Sequence, residues 1–275
     1  MLLLSLELLA VQSSQGWSET ARNNDIAKFH GFGTEDMSKL RDLVIDAHGG
    51  LERWSKVKAI DGDMSITGLL WTRKGWPDAL KDVHVTIDTK VQRTSYRPFT
   101  GPNKRSIHQP DHTRIETLEG QVLQQRHDPR SAFQNHVPET QWDDLNLAYF
   151  SGYAMWNYLM TPFVFSWPGV LCEEIEPWNE NGEIRRRLKV IFPDTIATHC
   201  PEQIFHINGD GLVSRLDYGA VVTGGIPTAH YVDDYKTFDG IKIWTKRRAL
   251  RRNPDGTAMP APVAVAIDVA NICIS

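Results

Sequence analysis

Four residues have the types and spacing for proton chemistry. Arg215 and Asp217 stand in VSRLDYGA, and His230 and Asp234 in AHYVDDY, two stretches that alternate apolar and polar residues as strands do. Gly224-Gly225 between them suits a turn that brings the chain back antiparallel. On the first stretch Arg215 and Asp217 share one face, with Leu216 and Tyr218 on the other. On the second, His230, Val232 and Asp234 share a face. If the register joins the two polar faces, a histidine, two carboxylates and an arginine meet. One Asp would then orient the imidazole for acid and base work, while the guanidinium holds an oxyanion. If it does not, the same residues make a ladder of ion pairs on a wet, convex sheet face.

Other chemistries lack their residues. There is no phosphate-cradling glycine loop and no paired-histidine helix, and Ser151 in Phe150-Ser151-Gly152 is not the serine of a nucleophile elbow. His199, Cys200 and His206 do not make a metal set, because adjacent residues on an extended chain point apart. Neither a metal nor a cofactor is expected. Cys172, Cys200 and Cys273 show no paired spacing, which favours free thiols in a reducing compartment.

The second group of interest is aromatic. In Trp142 to Val170, the residues Leu145, Tyr149, Tyr153, Trp156 and Met160 recur at helical steps, and Leu147, Phe150, Ala154 and Tyr158 occupy the opposite side. Asp143 and Asp144 mark the helix start and Pro162 its end. Phe163, Phe165 and Trp167 then alternate as in a short strand or lip. Such a helix is core, or it is also one wall of an apolar cavity in which Tyr149, Tyr153, Trp156, Phe163, Phe165 and Trp167 touch a ligand.

The elements that must position these residues are mostly strands. Leu40, Val44 and Ala47 outline an amphipathic helix ending at His48-Gly49-Gly50, after which the period changes to two at Ile60, Met64 and Ile66. Turn sequences such as Asn181-Gly182, Asp239-Gly240 and Asn253-Pro254-Asp255-Gly256 favour antiparallel neighbours. About ten or eleven strands result, interrupted once by the aromatic helical insertion at 142–170. A sheet of that size curls, and the helices are what can cover its apolar face. Residues 1–35 read as a poorly ordered leader and 36–275 as one domain.

With 275 residues and a net charge of −4, the chain offers no basic nucleic-acid surface. The runs at 185–187 and 246–248 read as solvated strand faces. The opening apolar run lacks a basic flank and carries Glu7, so a cytoplasmic location is expected, with secretion or a periplasmic location as the alternative. No later run approaches a membrane span.

Ala47-His48-Gly49-Gly50-Leu51-Glu52-Arg53-Trp54, with Ile66-Thr67-Gly68 after it and Tyr231 to Lys236, Phe238 to Ile241 and Thr245 to Arg248 late in the chain, resembles the bacterial lipoprotein-carrier, or LolA-like, superfamily. The resemblance implies an α+β, mainly β fold: an open antiparallel half-barrel with helices over its concave face, which accommodates lipid chains. The carriers' export signals and any counterpart of Trp142 to Val170 are missing from the pattern. The expected function is binding of a lipophilic small molecule or acyl chain. The alternative is a cofactor-independent isomerase, cyclase or dehydratase working on a hydrophobic, secondary-metabolite-like substrate in the same cavity.

Overall fold

The computed structural model describes residues 39–275, so the leader and the apolar run fall outside the described residues. The described residues form one compact unit. The alternation seen in the sequence becomes strands β1 (Ala59–Thr67), β2 (Val83–Asp88), β3 (Arg93–Arg97), β4 (Lys104–His108), β5 (His112–Thr117) and β6 (Val122–His127). After the long helix α4 (Asp144–Met160) come β7 (Leu171–Glu180), β8 (Glu183–Ile191), β9 (Glu202–Ile207), β10 (Val213–Gly219), β11 (Pro227–Phe238), β12 (Ile241–Arg251) and β13 (Val265–Ile274). Helices α1 (Lys39–Ala47) and α2 (Gly50–Trp54) precede the sheet, and α3 (Leu69–Arg73) lies between β1 and β2.

The 13 strands of the described residues form a single antiparallel sheet, in the order β6-β5-β4-β3-β2-β1-β13-β12-β11-β10-β9-β8-β7. Two meanders are therefore joined at their centre by the first and last strands, where Ile60 stands opposite Ile274 and Ile66 opposite Ile267. The edges are β6 and β7, which do not pair with each other, so the curved sheet stays open. The chain must travel from one edge to the other, and α4 is the element that makes this crossing.

The strand count exceeds the expected ten or eleven chiefly because of β7. Its sequence, LCEEIEPWNE, is broken by Pro177 and crowded with glutamates, so it lacks a clear apolar alternation. As an edge strand it pairs only with β8, and its irregularity between Ile175 and Trp178 absorbs the proline.

Helix α4 is buried from Leu145 through Met160. Its start is fixed by a capping box: the Asp143 carboxylate accepts from Asn146 N at 2.7 Å, while Asn146 Oδ1 accepts from Asp143 N at 3.3 Å. It lies close on β3, β4 and β5. Tyr96 Oη donates to Ser151 O and Thr94 Oγ1 to Gly152 O, both at 2.9 Å. Gly152 makes this approach possible, since a Cβ there would stand 2.6 Å from His108 Cγ and nearer still to its Cβ. Beyond Pro162 the expected strand or lip is instead a 3-10 helix, Phe163–Ser166, which turns three consecutive apolar side chains into the core. Phe163 stacks on Trp54 at 4.0 Å and Phe165 meets Phe205 at 4.7 Å.

At the other end, α1 buries Leu40, Val44 and Ile45, and the turn after it reaches the β11–β12 hairpin, where Lys242 N donates to His48 O at 2.9 Å. Gly49, at φ 125°, is required twice over. Its backbone is in a region that disfavours side chains, and a Cβ would lie 2.5 Å from Gly240 O.

Candidate functional site: a cleft backed by a buried tyrosine–histidine–arginine chain

The register separates the four residues proposed for proton chemistry. Leu216 pairs with His230, and Arg215 with Tyr231, so His230 shares a face with Leu216 and Tyr218 while Arg215 and Asp217 project from the opposite side. Asp234 joins neither group. It takes a left-handed φ of 55°, is exposed, and accepts from Thr245 Oγ1 at 2.6 Å. No four-residue catalytic cluster forms, because a sheet one layer thick lies between its members.

On the outer face, Arg215 and Asp217 enter a dense polar cluster. Arg215 Nε donates to Asp217 Oδ1 and Arg215 Nη1 to Glu180 Oε1, each at 2.6 Å, while Arg215 Nη2 reaches Gly256 O at 2.6 Å. Tyr231 Oη donates to the same Glu180 oxygen at 2.6 Å, and His206 Nε2 lies 3.2 Å from Asp217 Oδ2. Burial pushes the Asp217 carboxyl up, but the hydrogen bonds from His206 and Arg215 outweigh it and leave it below its ordinary value. Arg215 is fully buried with its charge answered on two sides. The cluster is an ion-pair ladder, roofed by the loop after β12.

The inner face carries a second arrangement. Arg247 on β12 is 2 % exposed, and no carboxylate pairs with it among the described residues. Its guanidinium carbon lies 4.0 Å from the Tyr158 ring centre and 4.8 Å from that of Trp244. Its Nε donates to His230 Nε2 at 3.2 Å. Contacts then run from His230 Nδ1 to Tyr218 Oη (3.2 Å), Tyr218 Oη to Tyr158 Oη (3.3 Å), Tyr158 Oη to His199 Nε2 (2.7 Å) and His199 Nδ1 to Tyr153 Oη (3.1 Å).

The start of this chain is directed by one fact: a guanidinium can only donate. His230 Nε2 must therefore accept, which puts the His230 proton on Nδ1 and makes Tyr218 an acceptor there. Between Tyr218 and Tyr158 either hydroxyl can donate, and the His199 tautomer sets the roles of Tyr158 and Tyr153. Burial holds His199 neutral, lowering it to about 3 with Arg247 and Arg130 adding to the effect. Burial likewise holds His230 well below its ordinary value, again with Arg247 contributing. Burial raises Tyr158 and Tyr218, so both keep their protons.

Tyr158 and Tyr218 are also wall residues of a cleft of about 240 Å³. Its other walls come from α3 (Leu70, Trp71), from the far side of α4 (Phe150, Ala154, Met155), from β12 (Ala249) and from the segment 259–264 (Met259, Pro262). The volume matters because a single water needs only about 10–15 Å³ of such space.

The six aromatics expected to contact a ligand do not line this cleft. Tyr149, Tyr153, Trp156, Phe163 and Phe165 are buried in packed core, and Trp167 packs edge-on against Trp156 at 5.0 Å. Trp156 is further tied down, donating from Nε1 to Asp88 O at 2.8 Å. The cleft lies on the Phe150, Ala154 and Tyr158 side of α4. The run at 246–248, expected on a solvated strand face, does not lie wholly there, since Arg247 is buried. Parity shows where it goes: Ile241, Ile243, Arg247 and Ala249 are all odd-numbered and buried.

The class defined by fold and site is an open antiparallel half-barrel with an apolar cleft between its helices and sheet. No protein-family model matches the chain, and no curated protein matches it. Among solved structures it is similar to a DUF1329 family protein from Desulfovibrio piger, at 14% identity over 86% of this chain and 92% of that one, with a TM-score of 0.49. It is also similar to a LolA superfamily protein from Nitrosomonas europaea, at 9% identity over 86% and 92%, with a TM-score of 0.47. At these scores the likeness bears on no ligand or reaction. No helix among the described residues is long and apolar enough to cross a membrane.

Proposed function

We propose that the protein binds a lipophilic small molecule or acyl chain in the cleft bounded by α3, α4, β12 and the 259–264 segment. The observation that carries this reading is the cleft itself: about 240 Å³ of space with walls that are mostly aliphatic, aromatic and methionine side chains. Each Å² of apolar surface removed from water contributes about 25 cal/mol, so burying a short hydrocarbon chain supplies useful affinity without any reaction. His199 and His230 stand behind the cleft wall and have both ring nitrogens engaged within the protein.

The test is displacement of a neutral, environment-sensitive naphthylamine dye. Ala154 lies on the cleft wall, and Ala154→Trp would place an indole in the space. The variant is expected to lose at least tenfold in dye affinity while keeping its far-ultraviolet circular dichroism. Unchanged affinity in a folded Ala154→Trp protein would sink the assignment.

A further inference from the structure

The charged residues lining the cleft are all of one sign. They are Arg73, Lys74 and Arg251, with no Asp or Glu among the lining residues, although acidic side chains outnumber basic ones, 34 to 30, in the whole chain. Arg73 and Arg251 are exposed, and neither guanidinium has a hydrogen-bond or ion-pair partner among the described residues. Lys74 is spoken for in part, donating from Nζ to Pro138 O at 2.8 Å and Thr140 O at 3.1 Å, with Glu139 nearby in charge. Behind the wall, Arg247 adds a further positive charge that no carboxylate answers among the described residues, 4.0 Å from the ring centre of cleft-lining Tyr158. A low-dielectric cleft edged by one sign of charge concentrates counter-charge at its mouth, and a free guanidinium is shaped to take a carboxylate or phosphate through two parallel hydrogen bonds.

We infer that the ligand is an anionic amphiphile, whose carboxylate or phosphate head is taken by Arg73 and Arg251 while its hydrocarbon body enters the cleft. This rests on the binding reading above and adds the chemistry of the head group. An apolar body alone would leave two unpaired guanidinium groups beside an apolar cleft with no role. A cationic amphiphile would meet like charge.

The experiment uses the full chain and three probes with the same twelve-carbon tail, each below its micelle concentration: dodecanoate, dodecyl phosphate and dodecanol. Each is titrated against the bound naphthylamine dye at low and high salt, with wild type, the Arg73→Gln/Arg251→Gln double variant and Ala154→Trp. At least one anionic probe is expected to displace the dye at tenfold lower concentration than dodecanol, and salt should narrow that gap. Whether dodecanoate or dodecyl phosphate leads identifies the head as a carboxylate or a phosphate. The double variant should bring the anions within about twofold of dodecanol and leave dodecanol itself unchanged. Equal displacement by dodecanol and both anions in wild type overturns the inference but leaves the binding reading intact. A charge preference that survives in the double variant, or in Ala154→Trp, overturns it as well, because the anion would then sit elsewhere. If no probe displaces the dye and the dye itself fails to bind, the binding reading falls and this inference with it.

Discussion

Gly152→Ala tests the closest contact between helix and sheet, and its sign is the informative part. In an exposed helix this change stabilises by ~1 kcal/mol, because alanine is the better helix former. Here the new Cβ would stand 2.6 Å from His108 Cγ and nearer to its Cβ, an atom fixed to the backbone of β4. No rotamer change relieves that, so α4 must lift by an ångström or so. Lifting stretches the bonds from Thr94 and Tyr96 to the Gly152 and Ser151 carbonyls. Two buried hydrogen bonds contribute about 1 kcal/mol each, and overpacking a core costs roughly 1–3 kcal/mol. Against the gain in propensity, the net expectation is a loss of about 2–4 kcal/mol. For a domain of this size, 1 kcal/mol corresponds to about 2–4 °C, so Tm should fall by roughly 5–15 °C. Urea denaturation followed by tryptophan fluorescence, alongside thermal melts, gives both quantities. A neutral or stabilised Gly152→Ala protein would refute the helix–sheet packing on which the cleft geometry depends.

Stability should fall as pH drops from about 6.5. His48, His108 and His199 are held by burial at about 4, 3 and 3, so the unfolded chain takes up protons in this window while the folded chain does not. His108 and His199 each cost about 2 kcal/mol at pH 5 relative to pH 8, His230 adds in the same direction, and urea midpoints across that range measure the sum. His108→Leu should be neutral or stabilising at pH 7, since both His108 ring nitrogens lack partners among the described residues, and should flatten the acid slope by one proton; a steeper slope would contradict the burial of this ring. Arg215→Met should destabilise by about 3–5 kcal/mol, because it removes the main cation from the buried Asp217 carboxylate and from the partly buried Glu180. The folded Arg215→Met fraction should keep wild-type dye affinity, since the cluster lies on the face away from the cleft, and weakened binding per folded molecule would count against the two-face description.

Much of the scaffold was legible in the residues. Asp143 and Pro162 bracket α4 as expected from charge at a helix start and the constraint before proline, and the turn sequences mark most of the strand boundaries. The facing of β10 was also readable, with Leu216 and Tyr218 opposed to Arg215 and Asp217. What the sequence did not hold was the pairing of β10 with β11. A shift of one residue reverses every side chain, and the connection is set by the 3-10 turn Val221–Thr223 before the glycine pair, so it is no tight hairpin. That single register sends His230 inward and leaves Asp217 outside. The cleft was hidden for a related reason. Rings on every side of α4 look alike in sequence, and only the sheet's approach at Gly152 decides which side is packed and which stays open. Arg247 was concealed by its neighbours Lys246 and Arg248, which do face outward, whereas β7 was concealed by its proline and glutamates.

The proton order that begins at Arg247 bears on the proposed guest. His230 donates to Tyr218, and where Tyr218 passes its own hydrogen to Tyr158 and Tyr158 to His199, both hydroxyls would have only lone pairs left to offer. Such a wall would favour an alcohol along the guest's length over a ketone, ether or ester oxygen. A mid-chain alcohol should therefore bind better than the ketone of equal length, and Tyr158→Phe with Tyr218→Phe should erase the distinction. Equal affinities for the two in wild type would show that the relay runs otherwise.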